Sequence, residues 1–190
     1  MEVLGSKQVS AQPFKRNATY ADLSSIPEGW NGQLIDGDLY AFPRPAPTHG
    51  LAISRLSRAL GPAEADSETG WIIVFEFEIW FGKHLLIPDL AGWRRPRGPN
   101  LEEQTQTVTP DWVCEGLSPS TARLDRGRKR ELYAEHKVGH VWFADPANKT
   151  IEVLALDRGR YEILQVAGGA DRAQLAPFAM DIDLAPLWSL

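Results

Sequence analysis

The stretch "TPDWVCEGLSPST", residues 109–121, decides how the chain is read. Trp112, Val113 and Cys114 read as a short buried strand, yet Glu115 and the chain's only cysteine lie inside it. Burying an unpaired carboxylate there costs on the order of several kcal/mol unless it is hydrogen-bonded, protonated or on a cation. Ser118, Ser120 and Thr121 around Pro119 are helix-capping residue types, so a helix is expected to about Val138, stopped at Gly139. "HVWFADP" (140–146) then reads as a strand. A strand–helix–strand crossover of this kind implies two parallel strands in one sheet.

Upstream, "WIIVFEFEIWF" (71–81) is rich in aromatic and β-branched residues and reads as one strand. Gly82-Lys83 turns it back into "HLLIPDLAGW" (84–93), paired antiparallel. Asp36-Gly37 and Asp157–Gly159, each between apolar runs, predict two further hairpins. Thr48 is a candidate cap for the helix "HGLAISRLSRAL", with Leu51, Ile53, Leu56 and Leu60 as its apolar stripe. The order predicts an α/β (α+β) chain: a mixed β-sheet flanked by helices, with an extra N-terminal hairpin and a C-terminal hairpin. Residues 1–18 are expected to form a flexible arm and residues 19–190 a single domain, the tail from Gly168 packing over the core.

At 190 residues, 43% hydrophobic and 24% charged, the chain is long enough for its own core. Its longest apolar run is broken by Glu76 and Glu78 and falls short of the ~20 residues of a membrane helix. The N-terminal segment lacks a secretory apolar core, and a single cysteine leaves no internal disulfide, so a cytoplasmic location is expected. The net charge of −5 argues against a general polyanion binder. Two basic runs remain, "GWRRPRGP" (92–99) and "RLDRGRKR" (123–130), each either a solvated surface or a local phosphate contact.

Asp89 and Asp111 both follow a proline. Asp111 lies roughly 13 Å from Glu115 along one strand, too far to share an ion, whereas paired strands are only ~4.8 Å apart. With suitable register Asp89 therefore faces Glu115. Adjacent carboxylates raise one pKa or recruit a divalent cation, and Mg²⁺ favours one or two carboxylates plus water and phosphate oxygens. Lys129, on the following helix, is the nearest candidate amine. Structural alternatives are a turn role for Asp89, an ion pair of Glu115 with Arg94 or Arg128, and an Asp125–Lys129 helical pair worth ~0.2–0.5 kcal/mol.

Cys114 lies mid-strand, which argues against a thiol nucleophile served by His136 or His140. Gly139 interrupts the helix a zinc-binding histidine pair would need, and no nucleotide-binding glycine motif occurs. His49, at a helix start, either caps and packs or touches phosphate or water. The tryptophans read as core except Trp93, which beside Arg94 and Arg95 either stacks on a base or braces the basic loop.

In their order, "LIPDLAGW", "TPDWVCEGLSPST", the spacing Asp125–Lys129–Tyr133 and "KVGHVWFADP" resemble the Uma (DUF820-like) family of restriction endonucleases, within the PD-(D/E)XK nuclease superfamily. The likeness spans roughly residues 19–165, taking in "QLIDGDLY" and "TIEVLALDRGRYEIL". It implies a restriction-endonuclease-like core, with Asp89 as the aspartate of the PD motif and Glu115 as the second acidic ligand. Leu117 stands where the superfamily lysine would follow, so the resemblance assigns the amine to Lys129, migrated onto the helix. Gly116 replaces a larger apolar residue, a difference expected to affect packing rather than chemistry. The implied activity is Mg²⁺- or Mn²⁺-dependent hydrolysis of DNA phosphodiester bonds by a homodimer, with Arg94, Arg95 and Arg97 on phosphates. The alternative is a catalytically inactive scaffold of the same fold that binds nucleic acid or a protein partner.

Overall fold

The structure, a computed structural model, describes residues 12–189. In chain order its regular elements are β1 Trp30–Ile35, β2 Asp38–Pro43, α1 Pro47–Leu60, β3 Trp71–Phe75, β4 Glu78–Phe81, β5 His84–Leu86, β6 Leu90–Arg94 and β7 Thr105–Gln106. There follow β8 Trp112–Gly116, α2 Ala122–Leu124, α3 Arg130–Glu135, β9 His140–Asp145, β10 Thr150–Asp157, β11 Arg160–Gly168, β12 Arg172–Gln174, β13 Asp181–Asp183 and α4 Ala185–Trp188. Of the arm expected at 1–18, residues 1–11 lie outside the described residues; Lys15 bridges Leu39 on β2.

Every residue of β8 is buried, as its apolar run requires, and β8 lies inside a six-stranded sheet ordered β11-β10-β9-β8-β6-β3. The β8–β9 pair is parallel and spanned by the helical segment 122–135, which is the expected crossover; β6–β8 is antiparallel. Alternation sends Trp112 and Cys114 to one face, where they pack with Ile53, Leu56, Trp142 and Phe178. Val113 goes to the other face with Leu132, Tyr133 and Val141. The first face is an aromatic cluster, with Trp112–Trp142 and Trp112–Phe178 centroids both 5.0 Å apart near right angles. Such contacts each add ~0.5–1.5 kcal/mol to the burial itself.

The run 71–81 is two strands rather than the one expected. β3 pairs with β6 in the large sheet, whereas β4 pairs with β5 in a second, five-stranded sheet ordered β2-β1-β5-β4-β7. The hairpin bends between sheets at Glu76, whose φ is 42°, and at Pro88, which has no N–H to continue a ladder. Side chains take up the interrupted bonds: the Ile87 N–H donates to Gln33 Oε1 at 3.1 Å. The front hairpin joins this second sheet, so the flanking layer is partly sheet and not only helix. The tail adds the β12–β13 ribbon and α4.

Both helices depart from the expected ends. α1 starts at Pro47 with proline at its first position, and Thr48 makes no cap. Its buried stripe is His49, Ala52, Ile53, Leu56 and Leu60, while Leu51 is exposed. α3 stops at Glu135, three residues before the expected end. Lys137 takes φ 62°, and Val138 N–H donates to Tyr133 O (2.9 Å) while Lys137 N–H donates to Ala134 O (3.0 Å). That is a Schellman stop built on a lysine rather than on Gly139.

The Asp36-Gly37 turn forms as expected, with both residues at positive φ. Arg128 grips Asp36 through two bonds of 2.7 and 2.9 Å, and the Asp36 N–H donates to His84 Nδ1 at 3.0 Å. Burial, helped by the charges of Arg128 and Lys83, lowers the His84 pKa despite Asp36. A depressed folded pKa means that this contribution is full above the ordinary histidine pKa of 6.5 and is lost as pH falls. Protonated Nδ1 cannot accept, which forfeits a bond worth ~1 kcal/mol. Between pH 7.5 and 5.0 the wild-type melting temperature is expected to fall more steeply than that of His84→Asn, whose amide oxygen accepts without titrating; parallel curves would refute this.

Candidate functional site

The register Leu90↔Cys114 and Gly92↔Trp112 runs on past the end of β6 to set Asp89 opposite Glu115. Both line one pocket, together with His49, Glu76, Asp125 and Lys129. The bend at Pro88 frees Asp89 from regular pairing, and its carboxylate is held from two sides. Gly116 N–H donates to Oδ2 at 2.7 Å, and His49 Nε2 lies 2.9 Å from Oδ1. Burial alone would depress the His49 pKa, but the bond to Asp89 and its charge outweigh that and raise it.

Glu115, Asp125 and Lys129 are 2%, 2% and 1% exposed. Lys129 Nζ lies 2.6 Å from Glu115 Oε1 and 3.0 Å from Asp125 Oδ1, and the Tyr133 hydroxyl donates to the same Glu115 oxygen. Asp125, Lys129 and Tyr133 share one helix face by their spacing of four. Between them the helix passes through a π turn, Asp125–Lys129, kinked at Gly127. Burial favours a neutral lysine, but the two carboxylates prevail and hold its pKa above the ordinary value. For Glu115, burial together with Asp125 and Asp89 outweighs Lys129 and lifts the carboxyl to about 8. Burial and Glu115 push the Tyr133 phenol well up, so it remains a donor.

The expected Asp125–Lys129 surface pair is thus a buried one, and the small magnitude of an exposed helical pair does not apply. Glu115 pairs with neither Arg94 nor Arg128; the latter engages Asp36, Glu131 and Glu135. Arg126 makes two bonds to Glu152 at 2.7 and 2.6 Å, so the basic run 123–130 is partly neutralised within the fold.

Arg94, Arg95 and Arg97 lie at the other end of β6, roughly 16 Å along the strand from Asp89. Arg94 stacks on Trp71 at 4.2 Å, Arg95 donates to Glu64 O at 3.1 Å, and Arg97 pairs with Asp111. Asp111 also accepts from Arg94 N–H at 2.8 Å, so it braces the loop and stays outside the pocket. Trp93 is fully buried and donates to Val108 O at 2.9 Å, which excludes base stacking and leaves loop bracing. Cys114 is core, its thiol pKa pushed well up by burial.

Sequence reasoning pairs Asp125 with Lys129, leaves His49 either capping or packing or touching phosphate or water, and misses Gln33 as a support. The spacing of Asp125, Lys129 and Tyr133 is the available signal for the helix face. Nothing local marks His49, because its partner lies 40 residues away.

The donors suit a hard divalent cation. Asp89 receives one bond on each oxygen and keeps lone pairs, and Glu115 Oε2 takes no hydrogen bond from the described residues. No cluster of three or more His, Cys, Asp or Glu forms a ready cage among the described residues. The two carboxylates Asp89 and Glu115 are the residues that could hold such a cation, with water completing its shell.

Residues 18–186 match the Uma2 family model, described as "Putative restriction endonuclease". No curated protein matches. Among solved structures, a "putative nuclease belonging to DUF820" from Anabaena variabilis ATCC 29413 is similar with a TM-score of 0.70 and 18% identity, covering 88% of this chain and 96% of that one. At that identity the likeness is one of fold, and it supports the restriction-endonuclease-like core expected from the order of motifs.

Proposed function

The chain belongs to the Uma2 family, and from that premise we propose that it is a divalent-metal-dependent endonuclease hydrolysing DNA phosphodiester bonds. The observation that carries this reading is the register setting Asp89 beside Glu115, with Lys129 Nζ 2.6 Å from Glu115. Asp89 and Glu115 would hold Mg²⁺ or Mn²⁺, which when bound supplies Lewis-acid polarisation of the phosphate and an acidified water. Lys129, kept charged by its two carboxylates, contributes a fixed positive charge against the negative charge that develops on the phosphate. Its raised pKa disfavours a role as general base. Tyr133 and Asp125 hold Glu115 and Lys129 in place. Arg94, Arg95 and Arg97 would serve as remote backbone contacts, and a homodimer would present one pocket to each strand of a duplex.

A non-catalytic scaffold is the second reading, favoured by one feature: the Lys129 ammonium is already engaged by two carboxylates. Two measurements on the purified protein separate the readings, namely plasmid nicking at low salt with Mg²⁺, Mn²⁺ or EDTA, and melting temperature with and without Mn²⁺. The nuclease is expected to nick only with metal and to melt higher when Mn²⁺ is present, since binding to the native state must stabilise it. Neither effect at any metal concentration would leave the scaffold.

A further inference from the structure

We infer that His49 is a positioning residue for Asp89 and that Gly116 is glycine to admit it; the inference rests on the nuclease reading above. His49 continues the buried stripe of α1 to its first turn, where a leucine would fill the same face at no polar cost. The imidazole is 8% exposed, and its Nδ1 is buried without a partner. An unsatisfied buried polar atom costs ~1–3 kcal/mol. Packing therefore does not explain the choice of histidine, but the 2.9 Å contact of Nε2 with Asp89 Oδ1 does. With Nδ1 partnerless, the neutral ring carries its proton on Nε2 and donates it to the carboxylate.

The strand opposite is shaped for this ring. A Cβ built on Gly116 would overlap His49 Cε1, stand 2.8 Å from Nε2 and 3.0 Å from Ile53 Cδ1. Gly116 also donates its N–H to Asp89 Oδ2 at 2.7 Å. One residue thus anchors one carboxylate oxygen and vacates the space through which histidine anchors the other. The small residue after Glu115, expected to matter only for packing, sets the orientation of the neighbouring ligand. Fixing a ligand's orientation in this way is worth about 10–100-fold in metal affinity.

The test is Mn²⁺ calorimetry on the full chain as wild type, His49→Leu, His49→Gln, Gly116→Ala and Asp89→Asn, with Mn²⁺-dependent nicking alongside. His49→Leu and Gly116→Ala are expected to weaken Mn²⁺ binding by about 10–100-fold. His49→Gln, whose amide N–H reaches the position of Nε2, should stay much nearer to wild type. Nicking by His49→Leu should recover at saturating Mn²⁺, a defect in metal affinity that general loss of packing would not produce. Should Gly116→Ala not fold, the leucine and glutamine pair decides. Wild-type affinity in His49→Leu, with binding lost in Asp89→Asn, overturns the inference and leaves the nuclease reading standing. No Mn²⁺ binding by the wild type itself overturns that reading, and the inference with it.

Discussion

Replacing Lys129 with methionine is expected to lower nicking by about 10²–10³-fold, the cost of losing one preorganised electrostatic donor. At pH 7 it is also expected to remove ~3–5 kcal/mol of folding stability, the cost of breaking a buried pair and leaving its partner uncompensated. The methionine fills similar volume, so the loss comes from charge rather than from a cavity. Glu115 and Asp125 would then share a dry site without a cation. The sign with pH follows. A carboxyl whose folded pKa is raised, as for Glu115 at about 8, has its favourable contribution complete below the unfolded value and loses it as pH rises. The Lys129→Met deficit should therefore widen from pH 7 to pH 9, because the variant must hold Glu115 neutral where the wild type ionises it beside the ammonium. Urea unfolding of both proteins at pH 7 and pH 9 measures it; an equal deficit at both pH values would contradict the assigned network.

Asp89→Asn should behave in the opposite way, nearly silent in stability and severe in function. Asparagine keeps an oxygen to accept the Gly116 N–H, and a neutral His49 can move its proton to Nδ1 and accept from the new amide, leaving Nδ1 as partnerless as it is in the wild type. The folded state therefore loses little, and its melting temperature in EDTA should stay close to that of the wild type. The anionic oxygen for the cation is gone, so Mn²⁺ stabilisation should vanish and nicking fall to the level of the EDTA control. Nicking that survives in a well-folded Asp89→Asn protein would place the chemistry elsewhere in the chain. Losing metal binding while keeping stability would separate Asp89 from Lys129, whose removal is expected to cost stability and nicking.

Much of this pocket is legible in the amino-acid sequence. The two-residue alternation of a strand puts Trp112 and Cys114 on one face and Glu115 on the other. Distance along a strand excludes Asp111, and that residue instead holds the loop after β6. The spacing of four along a helix groups Asp125, Lys129 and Tyr133. These are consequences of local geometry, carried by residues within one or two turns or one strand of each other.

What stays hidden depends on elements distant in sequence. The division of 71–81 between two sheets follows from Glu76 at positive φ against Pro88 across the hairpin, and the run itself reads as one unbroken strand. The contact of His49 with Asp89 requires α1 to lie over β8 at the point where Gly116 leaves room, a relation between surfaces that no local pattern encodes. Burial does the same for Lys129: a helical pair that would be nearly neutral in water becomes a strong constraint once packing removes the water. The amino-acid sequence by itself determined which residues share a strand face or a helix face, because backbone periodicity is local. Tertiary structure alone decided which faces meet and how dry they are, and so brought Asp89, Glu115 and Lys129 to the lining of one pocket.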